Sequence, residues 1–254
     1  MINGIYWTDT EAGTINHCDP DGTNVQPLIV GLTSPLGIAV DAAERKLYWA
    51  DYGTHKVQRA NLDGSAQQDL VIDLPMPRHM ALDPIAGHVY WTDSVANKVQ
   101  RCDLEGANLV DLVTNIPGAG IALDLAGGKM YWADPFVGMK NLRANLDGSD
   151  IEDLTTGLGV HVGIALDVPN SRMYWADAET DKVQSSKLDG TDVQDLIVGG
   201  GGPRCVMLHL AAGQMIWTGV ASDAICRANV DGTQVETLVE NHGAPRGLAL
   251  VTDA

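Results

Sequence analysis

The sequence Tyr48-Trp49-Ala50-Asp51 belongs to a motif that returns about every 42 residues along the chain. The other intact copies are Tyr6-Trp7-Thr8-Asp9, Tyr90-Trp91-Thr92-Asp93, Tyr131-Trp132-Ala133-Asp134 and Tyr174-Trp175-Ala176-Asp177, and a degraded sixth copy is Ile216-Trp217-Thr218-Gly219. A period of this length, with about four strands in each unit, is typical of propeller blades. The six copies predict a six-bladed β-propeller that uses residues 1–254 as a single domain.

The repeat around the second copy predicts the structure of one blade. Residues 36–41 form a short apolar run, as expected of an inner strand, and residues 46–51 contain the motif. Residues 55–61 alternate apolar and polar side chains, 62–65 form a glycine-containing turn, and 68–72 form the outer strand. No segment has a helical period, so the prediction is an all-β protein of four-stranded antiparallel blades.

The motif residues are predicted to be structural. Each tryptophan is expected to lie between neighbouring blades, where burying ~150–250 Å² contributes at most roughly 4–6 kcal/mol. The aspartate recurs in five blades and is expected to accept hydrogen bonds at the blade interface. Residues 245–250 resemble the first strand of a blade, but no second strand follows them. Residues 4–9 resemble a second strand, but no first strand precedes them. The two termini are therefore predicted to share one blade and to close the ring.

Composition limits the possible partners and the compartment. The formal net charge is -17, from 33 acidic and 16 basic residues, which argues against nucleic acid or an anionic membrane as the main partner. No apolar run approaches the ~18 residues that span a bilayer. The start of the chain shows no secretion signal, the chain has no Asn-x-Ser/Thr sequon, and four cysteines are predicted to be free thiols. We therefore expect a cytoplasmic protein, with its oligomeric state left open.

Three motifs carry a resemblance to a known family: Pro-x-Gly-Ile-Ala-Val-Asp at 35–41, the Tyr-Trp-Thr-Asp repeat, and Asn-Leu-Asp-Gly-Ser at 61–65. Over its whole length the chain resembles the YWTD family of six-bladed propellers, the class B repeats of lipoprotein receptors. The receptor members are extracellular and bind protein ligands beside cysteine-rich modules, which this sequence lacks. In size and in lacking those modules it is also similar to stand-alone fungal propellers, some of them similar to hetero-Diels–Alder enzymes of tropolone-sesquiterpenoid pathways.

In a symmetric scaffold, function is expected where the repeats differ. The second position of the six inner strands is occupied by three arginines and three apolar residues, namely Arg78, Arg204 and Arg246, with Leu36, Ala119 and Val162. The next position is glycine in four blades but His79 and Cys205 in two. His161 replaces the usual proline, and His242 lies just before Pro245. All these residues are predicted at one mouth of the channel.

Apolar side chains map to the same predicted face. Tyr52 and Phe136 are the only aromatic residues outside the repeat motif, and Met76 and Met139 map nearby. An apolar pocket with a few convergent polar groups is the usual form of a small-ligand site, and arginine suits delocalised oxyanions and carbonyls. Each residue also has a structural explanation. An arginine can bridge to the aspartate of a neighbouring blade, a loop histidine can be solvated, and the aromatic rings can simply cap the channel.

Three functions remain open at this point. The resemblance implies a cofactor-independent pericyclase that joins a quinone-methide-like tropolone diene to an apolar terpene olefin. In it, Arg78, Arg204 and Arg246 would polarise oxygen atoms, and His79, His161 or His242 would act as acid–base groups. The side chains lining the substrate would be Tyr52, Phe136, Met76, Leu36, Met139 and Cys205. The alternatives are a non-catalytic ligand- or protein-binding module, and a lactonase or other hydrolase with a channel metal.

Overall fold

The predicted propeller is the observed fold. The computed structural model describes residues 2–252 as six four-stranded antiparallel sheets, and the sheet that contains both ends of the described chain has the strand order β24-β1-β2-β3. Within these residues the one helical element is a 3-10 turn at Leu210–Ala212, and no helix could cross a membrane. Residues 1, 253 and 254, which complete the predicted domain, lie outside the described residues.

The blades are numbered by their copy of the motif. Blade one contains β24 (Pro245–Thr252), β1 (Ile2–Asp9), β2 (Thr14–Cys18) and β3 (Gln26–Val30). Blade two contains β4 (Pro35–Asp41), β5 (Lys46–Asp51), β6 (Lys56–Asn61) and β7 (Gln68–Val71). Blade three contains β8 (Pro77–Asp83), β9 (His88–Asp93), β10 (Lys98–Asp103) and β11 (Val110–Thr114).

The remaining blades repeat the pattern. Blade four contains β12 (Ile121–Asp124), β13 (Lys129–Asp134), β14 (Lys140–Asn145) and β15 (Glu152–Thr155). Blade five contains β16 (His161–Asp167), β17 (Arg172–Asp177), β18 (Lys182–Lys187) and β19 (Gln194–Val198). Blade six contains β20 (Pro203–His209), β21 (Gln214–Gly219), β22 (Ala224–Asn229) and β23 (Glu236–Val239).

Ring closure follows the prediction. Strand β24 pairs antiparallel with β1, with Ile5 opposite Leu250 and Trp7 opposite Leu248. Each inner strand is consequently the first strand of a complete sheet, and its unpaired edge faces the central channel. Because the ring is closed, no blade lies at an open end of the row of blades, where its inner strand could pair with another molecule.

The tryptophans lie between blades, as expected. All six are at most 1% exposed. Trp91 of blade three packs with Tyr48 and Val57 of blade two, and Trp7 of blade one packs with Ile225 of blade six. Because each tryptophan packs against the preceding blade, the core consists of six interblade clusters rather than one central one.

The aspartate of the motif organises the backbone of the loops. Asp51 accepts the N–H groups of Thr33 and Ser34, in the linker from blade one, and of Gly53 and Thr54, in its own turn, over 3.0–3.1 Å. Asp9, Asp93 and Asp177 likewise accept from both segments, and Asp134 accepts from its own turn. All five carboxylates therefore accept N–H groups of the turn that follows the motif, and this shared turn geometry explains why the aspartate recurs.

The sixth blade compensates for its missing aspartate. A Cβ at Gly219 would lie 2.4 Å from Ser222 Oγ in the next turn and 3.1 Å from the carbonyl oxygen of Gly200 in the linker, so these two segments occupy the space of a side chain. The Gly202 N–H donates to Asp181 Oδ1 over 2.7 Å, and Trp217 Nε1 donates to the Gly200 carbonyl over 3.0 Å. The glycine-rich linker is thus a structural replacement, held partly by a carboxylate from blade five.

Candidate functional site

Three arginines meet at one end of the channel. Arg78, Arg204 and Arg246 are the second residues of β8, β20 and β24, and the inner strands all start at the same end of the ring. We call the end of the channel formed by these three residues the arginine mouth. Blades three and six are opposite each other in a ring of six, so Arg78 and Arg204 approach from opposite sides.

The arginines are close enough to influence one another. Burial, followed by the charges of Arg204 and Arg246, lowers the pKa of Arg78 below its usual value. Burial and Arg204 lower the pKa of Arg246, and burial lowers that of Arg204. Arginine nevertheless remains protonated in proteins. The mouth therefore concentrates three positive charges on a chain whose net charge is -17.

These charges have no carboxylate partner in the part of the chain that the structure describes. The ion pairs found among residues 2–252 involve other cations, for example Arg227 with Glu236. Asp93 is near Arg78 and Asp9 is near Arg246, but backbone N–H groups occupy both carboxylates. The expected structural explanation, a bridge to an aspartate of a neighbouring blade, does not account for the three arginines.

Neutral groups hold two of the three guanidinium groups in place. Arg78 Nε donates to Ser94 Oγ over 2.6 Å, and its Nη2 lies 3.8 Å from the sulfur of Met76. Arg246 Nε donates to Thr10 Oγ1 over 3.3 Å. The buried Nε of Arg204 has no hydrogen-bond partner within residues 2–252. The mouth thus has guanidinium donors that no carboxylate within residues 2–252 pairs with directly, although Asp93 and Asp9 lie near Arg78 and Arg246.

Two aromatic rings stand beside the arginines. The guanidinium carbon of Arg78 lies 4.9 Å from the ring centre of Phe136, which is 43% exposed. Tyr52 is 36% exposed and close enough to affect the pKa of both Arg78 and Arg246. Leu36 is half-buried and is the second residue of the neighbouring inner strand β4. The predicted grouping of arginines with apolar side chains is therefore present at this mouth.

His79 and Cys205 lie just inside the mouth, where the other blades have glycine. The reason for glycine is close backbone contact: a Cβ at Gly37 would lie 2.5 Å from the Cα of His79. Burial, with the charges of Arg78 and Arg246, lowers the pKa of His79 to about 4, so the ring is neutral at pH 7. Burial raises the pKa of Cys205 to about 12, so the thiol stays protonated. Both residues line the channel as neutral groups.

The remaining predicted residues have other surroundings. His161 is fully buried, with its ring nitrogens 2.9 and 3.0 Å from the carbonyl oxygens of Gly159 and Lys140. His242 packs edge-on against Trp7, with ring centres 5.6 Å apart, and lines a peripheral groove. Met139 is in the turn between β13 and β14, with a φ of 45°. The structure therefore gives both histidines a place in blade packing, outside the group of arginines.

An apolar cavity that sequence reasoning missed lies below the mouth. It is lined by His79 and Cys205, which follow Arg78 and Arg204 in β8 and β20, and not by the three arginines themselves. Its volume is about 360 Å³, and it begins at the level of His79 and Cys205. The residues that line its far end are Leu82, Pro84, Leu123, Leu166, Leu208, Leu210 and Leu250. A signal was available, since the residue before the last aspartate of the inner strands is valine or leucine in blades two to five. The channel therefore changes from cationic at one end to apolar at the other.

Together these features define a six-bladed propeller with a polarised central channel. Residues 45–84, from the end of the first turn of blade two to the first strand of blade three, match the family model of the low-density lipoprotein receptor repeat class B. This match over residues 45–84 confirms the predicted resemblance to the YWTD repeat, while the resemblance to fungal hetero-Diels–Alder enzymes stays a prediction. Among curated proteins, the comparison finds no match.

Solved structures support the fold. A chain of the nidogen/laminin complex matches with a TM-score of 0.89 and 20% identity, covering 98% of each chain. TolB from Acinetobacter baumannii matches with a TM-score of 0.78 and 13% identity, over 98% of this chain and 66% of that one. The gluconolactonase XC5397 from Xanthomonas campestris matches with a TM-score of 0.70 and 18% identity, over 83% and 77%. At these identities the similarity shows the architecture alone.

No metal centre is found among the residues described. Within 2–252, no group of three or more histidine, cysteine, aspartate or glutamate side chains could hold a metal ion. The lactonase alternative requires carboxylates that converge in the channel. The channel is instead lined by alanine, isoleucine, leucine and methionine side chains beside His79 and Cys205.

Proposed function

We propose that this protein is a cofactor-independent small-molecule enzyme of the hetero-Diels–Alder type, acting at the arginine mouth. The observation that supports it is the group of three arginines without carboxylate partners, placed beside Tyr52 and Phe136 and above an apolar channel. The substrates are a quinone-methide-like tropolone diene, whose oxygen atoms face the arginines, and an apolar terpene olefin.

The chemistry requires little from the protein beyond binding and polarisation. Two π bonds of the oxygen-containing diene and one of the olefin become two σ bonds and one π bond, and no atom leaves. Holding two reactants in contact lowers the entropic part of the barrier. Hydrogen bonds from the arginines to the diene oxygens make that partner more electron-poor. His79, neutral at pH 7, lies beside them as an uncharged group, and the cycloaddition itself transfers no proton.

Product formation from such a diene and olefin tests the proposal. Arg78→Ala, Arg204→Ala and Arg246→Ala are each expected to lower kcat/KM by about 10-fold or more, as loss of one oriented donor does in other enzymes. Arg227→Ala is the matched control, because Arg227 pairs with Glu236 on the outer strands. Wild-type turnover in all three channel variants would remove the arginine mouth from the reaction.

Protein binding is the second candidate. It is favoured by the match to a chain of the nidogen/laminin complex, and by exposed apolar residues beside the arginine mouth. Val95, Phe136 and Val137 are 61%, 43% and 81% exposed, in the turns of blades three and four. A binding module predicts that Val137→Asp abolishes capture of a protein partner. Retention of small-molecule turnover by that variant favours the enzyme instead.

A further inference from the structure

The two ends of the channel differ in charge and polarity. At one end lie Arg78, Arg204 and Arg246, whose pKa values are lowered mainly by burial. The neutral side chains of His79 and Cys205 follow, and the apolar cavity extends to the opposite end. A ligand that fits both halves has one compact anionic end and one apolar end.

We infer that the site binds an amphiphilic monoanion, with its oxyanion at the arginine mouth and its apolar body along the channel. This inference rests on the proposed function, because it names the substrate class of the same site. It also covers a delocalised oxygen anion, such as an ionised tropolone, with an apolar group attached.

The charge of the ligand follows from the lack of a direct ion pair at the three arginines within residues 2–252. Moving a guanidinium group out of water is costly unless an opposite charge or good acceptors replace the water. Asp93 and Asp9 act on Arg78 and Arg246 from a distance, but their oxygen atoms accept backbone N–H groups and do not hydrogen-bond to the guanidinium groups. A bound carboxylate or similar oxyanion would accept charge-assisted hydrogen bonds from guanidinium donors, including the unpaired Nε of Arg204.

The apolar body follows from the shape and lining of the channel. Arg78 and Leu82 are separated by four residues of one strand, which is roughly 13 Å at about 3.3 Å per residue. The volume of about 360 Å³ is near the lower end of the range of ligand pockets. Small side chains such as Ala39, Ala81 and Ala122 keep the channel open, while Met207 of blade six narrows it. A small inorganic anion would leave this space unused.

Calorimetric titration with decanoate, decan-1-ol and acetate tests both halves of the inference. Decanoate is expected to bind with one site per chain, and decan-1-ol and acetate at least 10-fold more weakly. Arg204→Ala and Arg246→Ala should each weaken decanoate binding about 10-fold. The control Arg227→Ala should leave it unchanged. Equal affinity for decanoate and decan-1-ol, or unchanged binding in both arginine variants, would overturn the anionic part.

Two channel variants test where the apolar body lies. Ala122→Leu should weaken decanoate binding, because the larger side chain fills part of the channel. Met207→Ala should improve binding of dodecanoate relative to decanoate, because it widens the channel. Thermal melting of each variant shows whether it is folded. Because one variant should weaken binding and the other should improve binding of the longer chain, a general loss of structure cannot explain both results. If both folded variants bind decanoate and dodecanoate with the same relative affinity as wild type, the apolar body of the ligand lies outside the channel.

The outcomes for ligand class and for enzyme activity are distinguishable. Decanoate binding that depends on the arginines and on channel width, together with no product from any diene and olefin, supports the ligand class and overturns the proposed reaction. Product formation by a protein that fails to bind decanoate, or binds it without regard to the arginines, supports the reaction and overturns the ligand class.

Discussion

The guanidinium carbon of Arg78 lies 4.9 Å from the centre of the Phe136 ring, so the inner strand of blade three contacts the motif turn of blade four. The contact crosses a blade interface at the rim of the channel. It fixes the direction of a cation whose Nε is already bonded to Ser94 Oγ. Phe136 therefore has a positioning role in addition to its exposed apolar face.

Phe136→Ala is predicted to weaken binding of an anionic ligand about threefold, with little change in stability. The reason is that a cation–π contact at an exposed site contributes only ~0.5–1 kcal/mol. Titration of the variant with decanoate measures the effect. Phe136→Tyr should retain affinity, and the control Val137→Ala, in the same turn, should behave as wild type. A loss of affinity equal in Phe136→Ala and Val137→Ala would show that the ring does not orient Arg78.

Arg204→Met is predicted to stabilise the ligand-free protein by about 1 kcal/mol. The substitution removes a partly buried charge that has no partner within residues 2–252, and it also relieves repulsion on Arg78 and Arg246. Urea unfolding measures the change. Arg227→Met should instead be neutral or slightly destabilising, because it breaks an exposed ion pair with Glu236. A clear loss of stability in Arg204→Met would mean that this arginine is structural.

His79 is predicted to make the protein less stable as the pH falls from about 6.5 to about 4. Its pKa in the folded protein is about 4, below the ordinary value of 6.5, so the unfolded chain takes up the proton first. The contribution is zero above pH 6.5 and reaches at most about 3 kcal/mol of lost stability at pH 4. Unfolding free energies of wild type and His79→Gln should show a smaller decline for the variant over this range. Parallel curves would contradict the low pKa.

Asp51→Asn is predicted to destabilise the protein by roughly 2–4 kcal/mol. The carboxylate accepts four backbone N–H groups, and an amide would lose one acceptor oxygen and place an NH₂ group against those donors. Chemical unfolding measures the difference. The control Asp69→Asn alters an exposed pair with Lys56 and should cost less than about 1 kcal/mol. Similar costs at the two positions would remove the proposed role of Asp51 in holding the linker.

Much of the candidate site could be predicted because repeats provide an internal reference. The arginines stand out only against Leu36, Ala119 and Val162 at the same position of other blades. The repeat pattern does not place the histidines, because a departure from the pattern can serve packing as well as binding. His161 replaces a proline and lies between the carbonyl oxygens of Gly159 and of Lys140 in blade four, and His242 covers Trp7. Neither contact leaves a periodic signal in the sequence.

The sequence by itself determined the number of blades, the strands within each blade, the shared terminal blade and the positions that break the symmetry. These are consequences of short-range patterns, namely alternating strands, glycine turns and one tryptophan per unit. Only the tertiary structure decided that the three arginines lack carboxylate partners within residues 2–252 and that an apolar cavity lies below them. Both depend on which groups from different blades meet at the ring axis, and on aspartates whose acceptor oxygens are already used by backbone N–H groups.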